Sequence, residues 1–125
     1  MGRNLTAQER AVIEAMIARA DGDSSEQRPS AAQGARWAAA LERTTVDHEC
    51  GCGLCPTIDL AWNGQEVDCE GDRVVLEAFS AGDEMVLLFV DGDLPSCLEV
   101  VPNDDQPAAL PLPEEIRPAR WLPAE

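Results

Sequence analysis

Apolar positions recur every three to four residues in the first third of the chain and every second residue in its middle. This change of period divides the sequence. Val12, Ile13, Met16, Ile17 and Ala20 fall on one helical face, which predicts an amphipathic helix over about residues 7–20. Thr6 and Glu9 have the spacing of a capping box at its start, and Asp21-Gly22-Asp23-Ser24-Ser25 ends it. A second helix is predicted over about residues 30–43. Ser30 is its cap, Gln33 takes the partner position, and Ala35, Trp37, Ala38 and Leu41 are available to pack. Gly34 weakens it by about 1 kcal/mol relative to alanine. Trp37 reads as a core anchor.

From Thr44 the pattern becomes extended. Ile58, Leu60 and Trp62 alternate with polar or small residues, and Asn63-Gly64 is a hairpin-turn signal. Arg73 to Phe79 and Met85 to Val90 are two further strands, joined by Ser80-Ala81-Gly82-Asp83. The second is apolar on both faces, which argues for a central strand. Asp91-Gly92-Asp93 makes another turn, and Cys97 to Val101 forms the last strand. The expected fold is α+β: two N-terminal helices packed on an antiparallel sheet of about four strands, spanning about residues 56–101. Residues 1–101 make one domain. Six of the nine prolines fall in residues 102–125, so this tail forms neither a long helix nor a central strand. Leu110, Leu112, Ile116, Trp121 and Leu122 would let it wrap the body; a mobile tail is the competing reading.

The length, 125 residues, suits a single domain, and 45% hydrophobic residues suffice for a core. Aromatics are only 4%, so Ala, Val, Leu and Ile must fill most of it. The formal net charge is −15, and it is unevenly placed. Residues 1–45 carry six Arg and six acids, whereas residues 46–101 carry thirteen acids and one Arg. The excess therefore belongs to the strand segment. Such a surface repels phosphates, so direct nucleic-acid binding is not expected. It also repels anionic lipid. A basic protein partner would be attracted, fastest at low salt; the alternative is that the charge serves solubility alone. No segment is apolar enough to span a membrane, and the N-terminus lacks the pattern of a signal peptide. Five Cys, three of them within six residues, make a poor disulfide framework. A cytoplasmic location is the expectation.

The one concentrated chemical signal is His48-Glu49-Cys50-Gly51-Cys52-Gly53-Leu54-Cys55-Pro56. Thiolate and imidazole are the ligands tetrahedral zinc prefers. Cys52 and Cys55 have the gap of a zinc knuckle, with Cys50, His48, and Cys69 or Cys97 as further donors. Zinc is thus the candidate cofactor, although a second spaced pair is missing. The other reading is a glycine-rich turn whose small thiols pack as hydrophobes. A Cys–His nucleophile can be drawn here too, but no orienting partner for His48 is evident, and the chain is not expected to be an enzyme. Asp91-Gly92-Asp93 fills only the start of a calcium-loop pattern. With no lysine, there is no phosphate-cradling loop. Within the acidic segment Asp59, Glu66, Asp68, Glu70 and Asp72 are the candidates for touching a partner.

The succession Arg36-Trp37, Leu41, Cys50-Gly51-Cys52-Gly53, Cys55-Pro56-Thr57-Ile58-Asp59-Leu60, Val90-Asp91-Gly92-Asp93-Leu94 and Leu98-Glu99-Val100 is similar to small actinobacterial proteins of unassigned function with a CGCG-type motif. Leu54, between Gly53 and Cys55, departs from that pattern and puts a fixed metal geometry in doubt. The late hairpin and the Pro-rich end resemble parts of small immunity-type proteins. That resemblance implies a protein that neutralises a toxin by covering it. The leading expectation is an acidic protein-binding protein that inhibits a basic partner. A small zinc-stabilised structural module and a Cys-dependent enzyme are the alternatives.

Overall fold

The computed structural model describes residues 3–19, 21–22, 31–50, 56–68, 73–102 and 108–118. Two helices, α1 (Ala7–Arg19) and α2 (Ala31–Ala40), lie where the period predicts them, and α2 continues into a 3-10 turn at Leu41–Arg43. The strands are β1 (Arg3–Asn4), β2 (Asp21–Gly22), β3 (Thr44–Glu49), β4 (Ile58–Trp62), β5 (Gln65–Glu66), β6 (Arg73–Phe79), β7 (Met85–Asp91), β8 (Leu94–Val101) and β9 (Arg117–Pro118).

The capping box at α1 is reciprocal. The Thr6 hydroxyl accepts from the Glu9 backbone N–H at 3.0 Å, and Glu9 Oε1 accepts from the Thr6 N–H at 2.9 Å. Two otherwise unpaired donors of the first turn are satisfied in this way. Arg3 then holds the same carboxylate through both terminal nitrogens, at 2.9 and 2.8 Å, and its Nε reaches Glu49 at 2.7 Å. The start of α1 is thereby tied to β1 and β3. Val12, Ile13 and Met16 are fully buried, which fixes the inward face of the helix. On α2 Trp37 is buried, as is Leu41 in the 3-10 turn that follows, whereas Ala35 faces solvent rather than packing as its spacing suggests. Gly34 lies against α1: a Cβ there would meet Ile17 Cγ2 at 3.4 Å. The helical cost of this glycine is thus offset by a close helix–helix approach.

All strand pairings are antiparallel, and the order across the sheet is β1-β3-β4-β8-β7-β6-β2, with β5 paired to β4 and β9 to β6. Four strands is an undercount. Thr44–Glu49 joins the sheet beside β4, and the two-residue β1, β2 and β9 border it. These pieces are too short to show alternation, and β3 buries only Thr44 and Val46 before its exposed end, so its period is weak. β7 is central, paired along its whole length with β6 and β8, as its two apolar faces require.

Val46, Ile58, Leu60, Leu76, Ala78, Val86, Leu88, Val90, Leu98 and Val100 form the inner face of the sheet and join the α1 and α2 residues in one core. The β7–β8 turn is docked onto α2, where the Trp37 indole N–H donates to Asp93 Oδ1 at 3.0 Å. Segment 108–118 lies against the body. Ile116 is buried in the core, Gln8 Nε2 donates to the carbonyls of Leu110 and Pro111, and Arg117 Nη2 donates to the Ser80 carbonyl and to Asp83. No helix among the described residues is long and apolar enough to cross a membrane.

Candidate functional site, the outer face of the sheet

Because side chains alternate along a strand, the inner core residues leave a second set on the opposite face. Register places Asp59, Cys97, Phe89 and Val75 in one row across β4, β8, β7 and β6. The next row is Glu99, Leu87 and Glu77, and the one beyond is Val101, Met85 and Phe79. Both helices pack on the other side, so this face is an apolar and acidic surface; Met85 and Val101 are 36% and 37% exposed.

Two β-bulges shape one end of the face. In β3, Val46 pairs with Leu60 and His48 with Asp59, leaving Asp47 as the extra residue. In β8, Phe89 pairs with Cys97 and Val90 with Pro95, leaving Ser96. Pro95 is tolerated within the strand at this irregularity. Bulges turn the extra side chain toward the surface they border. Asp47 and Ser96 accordingly join Asp59, Glu66, Arg73, Phe89 and Cys97 around a cleft of about 290 Å³.

At the floor of the cleft lies an ion pair. The Asp91 side chain is fully buried, and it accepts from Arg73 Nε at 2.8 Å and Nη2 at 3.1 Å. The Ser96 hydroxyl donates to Asp91 Oδ2 at 2.6 Å. The same guanidinium stacks over the Phe89 ring, 4.9 Å from its centroid, a cation–π arrangement that fixes the ring. Cys97 is a free thiol whose pKa is pushed up to about 12, first by burial and then by the Asp59 carboxylate and Glu99. A thiol in this state is a poor nucleophile and a poor metal ligand.

Of the acidic residues singled out in the sequence, Asp59 and Glu66 meet at the cleft. Asp68 is exposed just beyond Val67, which also lines it; Glu70 and Asp72 lie outside the described residues. Among the described residues, Asp47, Asp59, Glu66 and Glu99 have no cation in ion-pair contact, whereas the pairs Glu49–Arg3, Asp83–Arg117 and Asp93–Arg36 sit at edges and turns. Asp47 and Ser96 escape a reading by alternation because bulges break the period; a proline inside an apparent strand is the one sequence signal of the second bulge.

For the metal candidates, His48 is exposed on β3 opposite Asp59, and Cys50 is exposed just past the strand, its N–H bonded to the Thr57 carbonyl at 2.9 Å. Cys52 and Cys55, which fall between these two residues in the sequence, lie outside the described residues, as does Cys69. Among the described residues no group of three or more His, Cys, Asp or Glu side chains is arranged to hold a metal.

No family model matches the chain, and no curated protein or solved structure matches it significantly.

Proposed function

We propose that the chain is an acidic protein-binding protein whose strand-rich half takes up, and thereby blocks, a basic protein partner. The observation that carries this reading is the pairing of charge with architecture. The segment with thirteen acids and one Arg builds a sheet whose outer face no helix among the described residues covers, and its only Arg is held on Asp91. Carboxylates that are not tied up in ion pairs speed and orient the approach of a basic surface. Inhibition by covering needs no reacting group, in keeping with the inert thiol of Cys97.

The test is a binding screen against the products of neighbouring genes, with association rates measured at low and high salt. A basic partner whose association slows steeply with salt supports the reading. Absence of any partner, or association indifferent to salt, defeats it.

A second reading rests on the backbone bond between Cys50 and Thr57, which flank the stretch holding Cys52 and Cys55. Zinc held there by His48, Cys50, Cys52 and Cys55 or Cys69 would brace the end of β3, and metal affinity would add to folding stability. Elemental analysis of protein purified without a polyhistidine tag decides it: about one zinc per chain is expected for a four-ligand site, and a clearly lower content removes the reading.

A further inference from the structure

The sheet forks at β4. One edge of this strand pairs with β3 along its whole length. The other edge pairs with β8 at Ile58 and Asp59, and then with β5 at Ala61 and Trp62. A strand has two edges, so β8 and β5 share the second one and part at Leu60. The wedge between them is the cleft of about 290 Å³, with Leu60 at the parting, Glu66 and Val67 on the β5 side, and Ser96 and Cys97 on the β8 side. The bulge at Ser96 falls at this place, and a bulged strand bends, which carries the start of β8 away from β4. The cleft lies at the lower bound of small-molecule pockets, about 300 Å³. It has room for one long side chain.

The lining selects the kind of side chain. Asp47, Asp59 and Glu66 reach the cleft from β3, β4 and β5, and all three are exposed and make no ion pair among the described residues. Asp59 accepts a hydrogen bond from the Cys97 thiol, and a carboxylate has about four acceptor positions, so others remain. The cation of the cleft itself, Arg73, is matched by the fully buried Asp91. His48, opposite Asp59 in register, is not among the described residues that line the cleft. The balance is negative and disfavours an anion. The carboxylates ring the wedge without converging, since no three His, Cys, Asp or Glu side chains among the described residues are arranged to hold a metal. A cation on an apolar stem suits this arrangement better than a bare ion: the stem lies against Val67 and Cys97 while the head stays among the carboxylates and water. The Phe89 ring is covered by Arg73 and takes no part. Resting on the basic-partner reading, the geometry points to a single Lys or Arg side chain of the partner as the occupant of this fork. The wider acidic surface steers the approach, and the fork fixes the register.

The probes are three capped tripeptides, Gly-Arg-Gly, Gly-Lys-Gly and Gly-citrulline-Gly, titrated into the full chain. Citrulline keeps the shape of arginine and removes its charge. Backbone NMR shifts report where each binds. At least one of the two cationic peptides is expected to saturate with a Kd of about 1–5 mM and to shift Asp47, Asp59, Glu66 and Ser96 above all other residues. The citrulline peptide should bind at least about fivefold more weakly. Asp47→Asn and Glu66→Gln should each weaken the cationic peptide about threefold. Glu114→Gln, which removes the same charge from an exposed position beside α1, should leave it unchanged. An intact spectrum of each variant establishes that it is folded. Equal binding of the citrulline peptide, shifts spread evenly over the acidic surface, equal loss in Glu114→Gln, or no saturation of either cationic peptide by about 20 mM overturns the fork proposal. The salt-dependent partner screen stands or falls by itself, because a basic partner can bind elsewhere on the acidic surface, so the two failures are distinguishable.

Discussion

Replacing Glu9 by Gln tests whether the start of the fold is held by charge or by shape. The carboxylate accepts three hydrogen bonds, one from the Thr6 N–H and two from Arg3. Glutamine can keep the capping bond and the volume, but it loses the charge. Arg3 is 39% exposed, against 10% for Glu9, so solvent screens part of the pairing. Arg3 also keeps Glu49 as a second partner. The loss should therefore be about 1 kcal/mol, a discounted charge-assisted pair plus a helix N-terminal acid. Glu9→Ala removes the cap as well and should cost about 2 kcal/mol. The interaction with Arg3, burial-opposed but dominant, holds the Glu9 pKa below the usual carboxylate range. A carboxylate depressed in the folded state stabilises above its unfolded pKa of about 4.3, and this contribution fades as pH falls through the lower folded value. Urea denaturation of wild type, Glu9→Gln and Glu9→Ala at neutral pH and in acid provides the assay. The wild type should exceed Glu9→Gln at neutral pH, and that gap should close in acid, because Arg3 stays protonated throughout. Equal stabilities at neutral pH, or a gap that persists in acid, would refute the reasoning.

Asp93→Ala should lower the urea midpoint and shift the Trp37 emission, because it removes the acceptor of the indole N–H and places a Cβ-bearing residue with no local polar group at φ 68; Asp93→Asn, which tolerates that backbone, should change both little. Cys97 should alkylate far more slowly near neutral pH than a peptide thiol, and Asp59→Asn should speed it, since that carboxylate helps to raise the thiol pKa; timed labelling followed by mass spectrometry contradicts this if the wild-type rate matches a free peptide thiol. Gly64→Ala should cost about 1 kcal/mol in urea denaturation, all of it backbone strain at φ 80, because nothing lies within 4 Å of a Cβ there; a neutral result would show that the hairpin turn can relax.

Legibility from the sequence followed the strength of the local signal. The capping box, both helices and the long strands β6 and β7 were readable because their apolar period is sustained and the turns on either side of β7 carry small polar residues or glycine at positive φ, Asp83, Gly92 and Asp93. β1, β2 and β9 are two residues each, too short for any period, and they exist through pairing with residues far away in sequence. The cleft was half legible. Asp59 and Glu66 belong to the acidic segment, but the bulges that bring in Asp47 and Ser96 arise from register between strands, and the Arg73–Asp91–Ser96 contact joins residues that only the fold makes neighbours. The outward apolar residues of β7, Met85, Leu87 and Phe89, were written in its two-faced pattern, which announced a central strand without saying which face the helices would cover.

The charge asymmetry can be put to the question in a single measurement, the association rate with a basic partner from the screen for the wild type and for a variant carrying Asp59→Asn, Glu66→Gln and Glu99→Gln. All three carboxylates lie on or beside the outer face and make no ion pair among the described residues. The account predicts a markedly slower association for the variant at low salt, with the two rates converging at high salt. Identical rates and identical salt dependence would contradict it.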